Sequence, residues 1–193
     1  QTCALPIYDE EIEKEQIREG FAWADVIGVG PGMGTGQQAE DILYTILAEG
    51  RKPLLIDADG LNLLAGRMEV LAQYPAPVIV TPHLGEFSRI SGVSVEEWKE
   101  APLYLTKRFA HKYHLTVVCK DSRTVISDGS EEIFINTSGN SGMATAGCGD
   151  VLSGILMGLL AQGLSAIDAA SLGVYFHGAA GDMEIGRASC RER

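Results

Sequence analysis

Apolar positions fall into two patterns along the chain: short unbroken runs, and longer stretches with helical spacing. Trp23-Ala-Asp-Val-Ile-Gly-Val-Gly30, Pro53-Leu-Leu-Ile-Asp57, Pro77-Val-Ile-Val80 and Leu115-Thr-Val-Val-Cys119 are runs of the first kind. Continuous apolar runs of this length predict strands buried on both faces, as in parallel sheets. Between them the spacing turns helical. Residues 38–49 set Ile42, Leu43, Ile46 and Leu47 on one face, and 61–64 predict a short helix ending by Gly66. Helical patterns follow over 84–90 and 95–111, and later over 150–161 and 166–181. Thr124-Val-Ile126 and Glu132-Ile-Phe-Ile135 are two further strands, and the turn Ser127-Asp-Gly-Ser130 between them favours an antiparallel hairpin. Residues 10–19, apolar only at Ile12 and Ile17, read as a solvated helix or linker.

Strands alternating with helices predict an α/β fold. Its central sheet is mostly parallel and flanked by helices on both faces, with an antiparallel portion late in the chain. In such sheets ligands gather at the carboxyl ends of the strands. Gly30-Pro-Gly-Met-Gly34, Asp57-Ala-Asp59, Thr81-Pro-His83 and Lys120 all fall just past strand-like runs, and the loop from Gly147 to Asp150 precedes a helix. That pattern predicts one shared crevice.

Composition narrows the chemistry. The 193 residues suit one sizeable domain, and a net charge of −11 argues against nucleic acid or an anionic membrane as partner. An anionic substrate would need local help from backbone amides and a few cations. The longest apolar stretch, 151–161, is too short to span a bilayer, and no segment has the form of a secretion signal. Cys119 and Cys148 show neither metal-type spacing nor a disulfide framework, so a cytoplasmic location is expected. Residues 1–7 and 184–193 resemble in-frame translations of sequencing-adapter DNA. The domain is therefore expected over 8–183, incomplete at its N-terminus, with Cys3 and Cys190 set aside.

The strongest candidate chemistry lies in Asn140-Ser-Gly-Met-Ala-Thr-Ala-Gly-Cys-Gly-Asp150. Small residues at Gly147, Cys148 and Gly149, followed by a helix start, make an anion site of free amides and partial positive charge. Asp150 either stabilises the first helical turn or serves as a base for a hydroxyl attacking phosphorus. The glycines from Gly28 to Gly36 fit neither the dinucleotide fingerprint nor a P-loop, leaving a close-approach loop that leans towards ligand contact, or a tight turn. Asp57 and Asp59 are candidates for Mg²⁺ through water, or start the helix carrying Leu61, the safer reading. His83 gains interest only from its place in the crevice. Lys120, Asp121, Ser122, Arg123 and Thr124 suit phosphate or ribose, or form an ordinary polar turn. Residues 136–142 read as a flexible polar loop facing substrate, and His177 as a satisfied core or interface residue.

Taken in order, these motifs with Asp57-Ala-Asp-Gly-Leu-Asn62, Thr81-Pro-His-Leu-Gly-Glu86 and His177-Gly-Ala-Ala-Gly-Asp182 resemble the ADP-dependent (S)-NAD(P)H-hydrate dehydratases, carboxyl-terminal modules of the YjeF type with a ribokinase-like fold. The likeness covers nearly all of 8–183. It implies dehydration of the S epimer of hydrated NADH or NADPH, with ADP converted to AMP and phosphate; eukaryotic relatives use ATP. By that resemblance Asp150 is the catalytic base and contacts substrate, and Gly147, Cys148 and Gly149 form the anion hole. Gly34 and His83 contact the hydrated nicotinamide nucleotide. Lys120, Asp121, Ser122, Arg123, Thr124 and Gly149 contact the adenine nucleotide, and Mg²⁺ balances phosphate charge without an assigned protein ligand. A homo-oligomer and a fused or separate epimerase module are further implications. Asp121 departs from the Gly many relatives carry there, and the family's usual opening strand–helix unit is absent. The alternatives are a ribokinase-like kinase of a vitamin-precursor alcohol and a non-catalytic nucleotide-binding protein.

Overall fold

The computed structural model describes the backbone of residues 3–4 and 14–191 and the side chains of 15–184. Among the described residues seven strands form one sheet in sequence order: β1 (Cys3–Ala4), β2 (Ile27–Val29), β3 (Leu54–Ile56), β4 (Val78–Val80), β5 (Thr116–Cys119), β6 (Thr124–Ser127) and β7 (Phe134–Asn136). β1 to β5 pair in parallel; β5–β6 and β6–β7 are antiparallel. This is the mixed sheet expected from the sequence. β1 lies within the stretch set aside as foreign, while most of 1–7, the side chains of 185–193 and the beginning of the 10–19 run lie outside the described residues.

Helices α1 (Lys14–Trp23), α2 (Gln37–Glu49), α3 (Asp59–Leu63), α4 (Leu84–Ser91), α5 (Val95–Glu100) and α6 (Pro102–Tyr113) fill the connections between the parallel strands. Right-handed crossovers that always step the same way place every connecting helix on one face. That face buries Leu54, Ile56, Val78, Val80, Val117 and Cys119 against Ile17, Leu43, Ile46, Phe87 and Phe109. The opposite face would be bare without the chain's last two helices, α7 (Cys148–Ala161) and α8 (Ala166–Arg191). They cover Leu55, Ile79, Val118 and Ile126 with Leu152, Leu156, Leu160, Ala169, Ala170 and Val174. Gly28 lets α7 come close, since a Cβ there would lie 2.2 Å from Met157 Sδ.

Two local expectations are corrected, and one segment is added. Trp23 ends α1, half exposed, and the strand begins only at Ile27, because the apolar run there joins a helix end to a strand start. The 95–111 pattern is two helices, divided at Ala101 and restarted with Pro102 in the first helical position, where a missing N–H costs nothing. A 3₁₀ segment, Met68–Gln73, carries no periodic signal but buries Met68 and Leu71.

Candidate active site

Strand alternation decides which side chains meet. Leu55, Ile79 and Val118 point to the α7 side of the sheet, so Asp57, Thr81 and Lys120, each two residues on, lean the same way. Asp57 and Thr81 each follow directly on the last register pair of β3 and β4, Ile56 with Val80. Lys120 follows β5, where it is tied to β4 by its N–H to the Pro82 carbonyl at 2.7 Å and by a bridge to His83. From there its Nζ reaches Asp57 Oδ1 at 2.9 Å, across the intervening strand. Asp57, 4 % exposed at its side chain, also accepts the Ser153 hydroxyl of α7 at 3.0 Å on Oδ2. A buried carboxylate with both oxygens engaged is a fixed structural charge. Thr81 is buried between these strands, and its hydroxyl has no hydrogen-bond partner among the described residues.

α7 enters above this pair. Gly147 at φ +85° turns the chain into the helix, a left-handed conformation that favours glycine. A Cβ on Gly149 would lie 3.7 Å from Lys120 Nζ and 3.8 Å from Asp57 Oδ2, so the bare backbone of the helix start rests over the ion pair. The amides of Gly147 and Gly149, helix polarity and a lysine converge there, a suitable setting for phosphate, whereas the Cys148 N–H, expected in the same anion hole, is given to the Thr145 carbonyl at 3.3 Å as the chain turns into the helix. Asp150 follows in the first turn, exposed to solvent.

The neighbouring carboxylates are committed elsewhere. Asp59 Oδ2 accepts the Gly34 N–H at 2.9 Å, pinning the first glycine loop to α3. Glu86 Oε2 accepts the His83 N–H at 2.8 Å, while His83 Nδ1 accepts from Gly85 and Glu86, a reciprocal cap at the start of α4. The acceptor role assigns the ring proton to Nε2, leaving a half-exposed imidazole at the crevice edge. Asn62 and Arg89 link α3 to α4, and Arg89 also donates to the Gly85 carbonyl at 3.1 Å. Capping is thus not what Asp57 and Asp59 do: the residue before α3 is Ala58, and no side chain caps that helix.

Ala58 is strained at φ +47°. A non-glycine residue held there costs of order 1–3 kcal/mol, and such strain gathers at functional loops. Its neighbour explains Gly30 as well. A Cβ at Gly30 would lie 1.8 Å from the Asp57 carbonyl oxygen, so this glycine serves close packing between two strand-end loops, whereas Gly32 faces open space.

A family model described as NAD(P)H-hydrate dehydratase matches residues 3–190. The chain belongs to the NAD(P)H-hydrate dehydratase family. It is 41% identical over 158 residues to the ADP-dependent (S)-NAD(P)H-hydrate dehydratase of Neisseria meningitidis, covering 80% of this chain and 53% of that protein. It is 40% identical over 168 residues to the bifunctional NAD(P)H-hydrate repair enzyme of Moorella thermoacetica, covering 87% of this chain and 32% of the relative. The chain thus spans a third to a half of these relatives' lengths. The Bacillus subtilis ADP/ATP-dependent NAD(P)H-hydrate dehydratase, co-crystallised with ATP and Mg²⁺, superposes with a TM-score of 0.70 at 32% identity, over 80% of this chain and 54% of that one. The fold is the ribokinase-like one expected from the sequence.

In this member of the dehydratase family, the residues expected to act together separate into three groups. Lys120, His83, Gly149 and their helix-start loop meet at the carboxyl ends of β4 and β5. Asp121, Ser122 and Arg123 stand exposed on the β5–β6 turn, and Thr124 opens β6. Gly34 lies on the β2 side with its amide already engaged. His177 is not simply a core residue: its Nε2 lies 3.3 Å from Cys148 Sγ at the start of α7, and burial holds its pKa below the ordinary value. The sequence shows Thr81 only as part of a strand-end motif and does not single out Ser153, since nothing there links them to Asp57. The parallel order of β3, β4 and β5 is the signal that would have found them.

For Mg²⁺ the donor set is thin. No group of three His, Cys, Asp or Glu residues among the described ones could hold an ion. None of the described helices is long and apolar enough to cross a membrane.

Proposed function

We propose that this chain dehydrates the S epimer of hydrated NADH or NADPH at the expense of ADP, restoring the reduced nicotinamide nucleotide and releasing AMP and phosphate. One observation carries the reading. Among the acidic residues around the helix-start loop, Asp57, Asp59 and Glu86 are spent on protein donors, whereas Asp150 is exposed and makes no hydrogen bond or ion pair among the described residues. A carboxylate left open beside amides fit for phosphate is placed to take a proton from an alcohol. The relatives' names and the family membership support the same chemistry.

In this reading the substrate hydroxyl gives its proton to Asp150, and its oxygen attacks the terminal phosphorus of ADP as the bond to the AMP oxygen breaks. Negative charge building on the phosphoryl oxygens is met by the amides of Gly147 and Gly149 and by Lys120 Nζ. The phosphorylated carbon centre then loses phosphate, and loss of the neighbouring ring proton restores the double bond. Asp57 holds Lys120 in place. His83 and the loop carrying Gly34 border the nicotinamide side, and residues 121–124 the adenosine side. Mg²⁺ would supply neutralisation of phosphate charge, and Asp57 and Asp59, which already accept from protein donors, could act on it only through water. The word bifunctional in the Moorella relative's name supports pairing with a second repair activity such as an epimerase.

The test is to incubate the chain with hydrated NADH and ADP, following NADH absorbance and free phosphate together. Equal recovery of NADH and phosphate is expected. A phosphorylated alcohol that persists would make the protein a kinase, and nucleotide binding without turnover would make it a non-catalytic binder.

A further inference from the structure

The motif His177-Gly-Ala-Ala-Gly-Asp182 takes no part in the chemistry above, yet one side of α8 there grips the loop that leads into the anion site. Asp182 accepts the Gly139 N–H at 2.8 Å on one oxygen and the Asn140 side-chain amide at 3.0 Å on the other. These two donors hold its carboxyl below the usual carboxylate range. Asn140 passes the hold on, its Oδ1 accepting the Gly142 N–H at 3.0 Å within the 3₁₀ turn Ser141–Met143.

Two glycines make the fit possible. A Cβ on Gly178 would lie 2.3 Å from Ser138 Oγ and 2.7 Å from its carbonyl oxygen; one on Gly181 would lie 2.4 Å from Met143 Sδ. Ser138 Oγ also donates to the Tyr175 carbonyl at 3.2 Å, and His177 meets Cys148 at the far end of the loop. Residues 177, 178, 181 and 182 share one helical face. The 136–142 stretch, expected as a flexible polar loop, is therefore fastened at Ser138, Gly139 and Asn140, and just beyond it at Met143.

We propose that Asp182 is a positioning residue: through Gly139 and Asn140 it fixes the 138–147 loop on α8, and so sets where the amides of Gly147 and Gly149 lie. This rests on the reading of those amides as the phosphate site.

Asp182→Ala, Asp182→Asn and wild type are compared on the whole chain, by site-resolved hydrogen exchange, thermal unfolding, ADP affinity and steady-state kinetics. Asp182→Ala is expected to speed exchange of residues 139–147 about tenfold or more with strands β3 to β5 unchanged. The KM for ADP is expected to rise about tenfold with kcat less affected, and Asp182→Asn, keeping one acceptor oxygen, falls between. Unchanged loop exchange, or loosening that spreads to the core strands, would overturn the proposal. Faster loop exchange with unaltered ADP affinity would leave the tether standing, place the phosphate elsewhere, and so overturn the functional reading instead.

Discussion

Lys120→Met removes the cation from a carboxylate that cannot reach water. Asp57 is 4 % exposed at its side chain and would keep only the Ser153 hydroxyl. Breaking a fully buried ion pair from one side costs roughly 3–5 kcal/mol. The Lys120 side chain is 23 % exposed, which admits some solvent to the pair and favours the lower end, about 3 kcal/mol. For a chain of this size each kcal/mol is worth roughly 2–4 °C, so the melting temperature should fall by about 6–12 °C. The assay is thermal unfolding followed by circular dichroism, with Asp57→Asn/Lys120→Met as the partner variant. Removing both charges should restore at least half of the loss, because no ion is left stranded. ADP affinity should stay weak in both variants, which separates the lysine's two duties. A single variant that loses less than about 1 kcal/mol would refute the reasoning, since an exposed pair is worth no more than that.

Other outcomes follow from the same geometry. Gly30→Ala should cost at least about 3 kcal/mol, since its Cβ would meet the Asp57 carbonyl at 1.8 Å, whereas Gly32→Ala, facing open space, should cost about 1–2 kcal/mol for its left-handed backbone; denaturant titration ranks the two. Gly149→Ala puts a methyl at ordinary contact distance from Lys120 and Asp57, so stability should hold or rise by up to about 1 kcal/mol while ADP binding by calorimetry weakens about tenfold. His177 has its pKa lowered by burial, so the unfolded chain takes up this proton more readily than the folded one. Stability carried by the neutral ring is therefore present above the ordinary value of 6.5 and lost as pH falls below it. His177→Gln should flatten that part of the stability–pH curve, measured by urea unfolding in buffers on either side of the value.

Much of the architecture could be read directly from the chain. Runs such as Pro53-Leu-Leu-Ile-Asp57 have few alternatives once both sheet faces must be covered, and their ends mark the crevice. Misreadings came where one signal served two elements: the apolar stretch at Trp23 joins α1 to β2, and the helical pattern around Pro102 hides a break. The site was legible as residue types and less so as contacts. Asp57 and Lys120 stand 63 residues apart and meet only because β3, β4 and β5 lie side by side. The grip of Asp182 on Gly139 depends on the packing of α8, which no local pattern encodes. The loop from Gly28 to Gly36 reads as close approach to a ligand or as a tight turn, and at Gly30 the close partner is the Asp57 carbonyl.

The proposed chemistry turns on Asp150 as the open carboxylate at the start of α7. Asp150→Asn keeps the shape of the side chain and removes its basicity, so ADP affinity by calorimetry should stay within about threefold while turnover of hydrated NADH falls by ~10²–10⁴. Turnover close to that of wild type, with ADP still bound, would contradict the account.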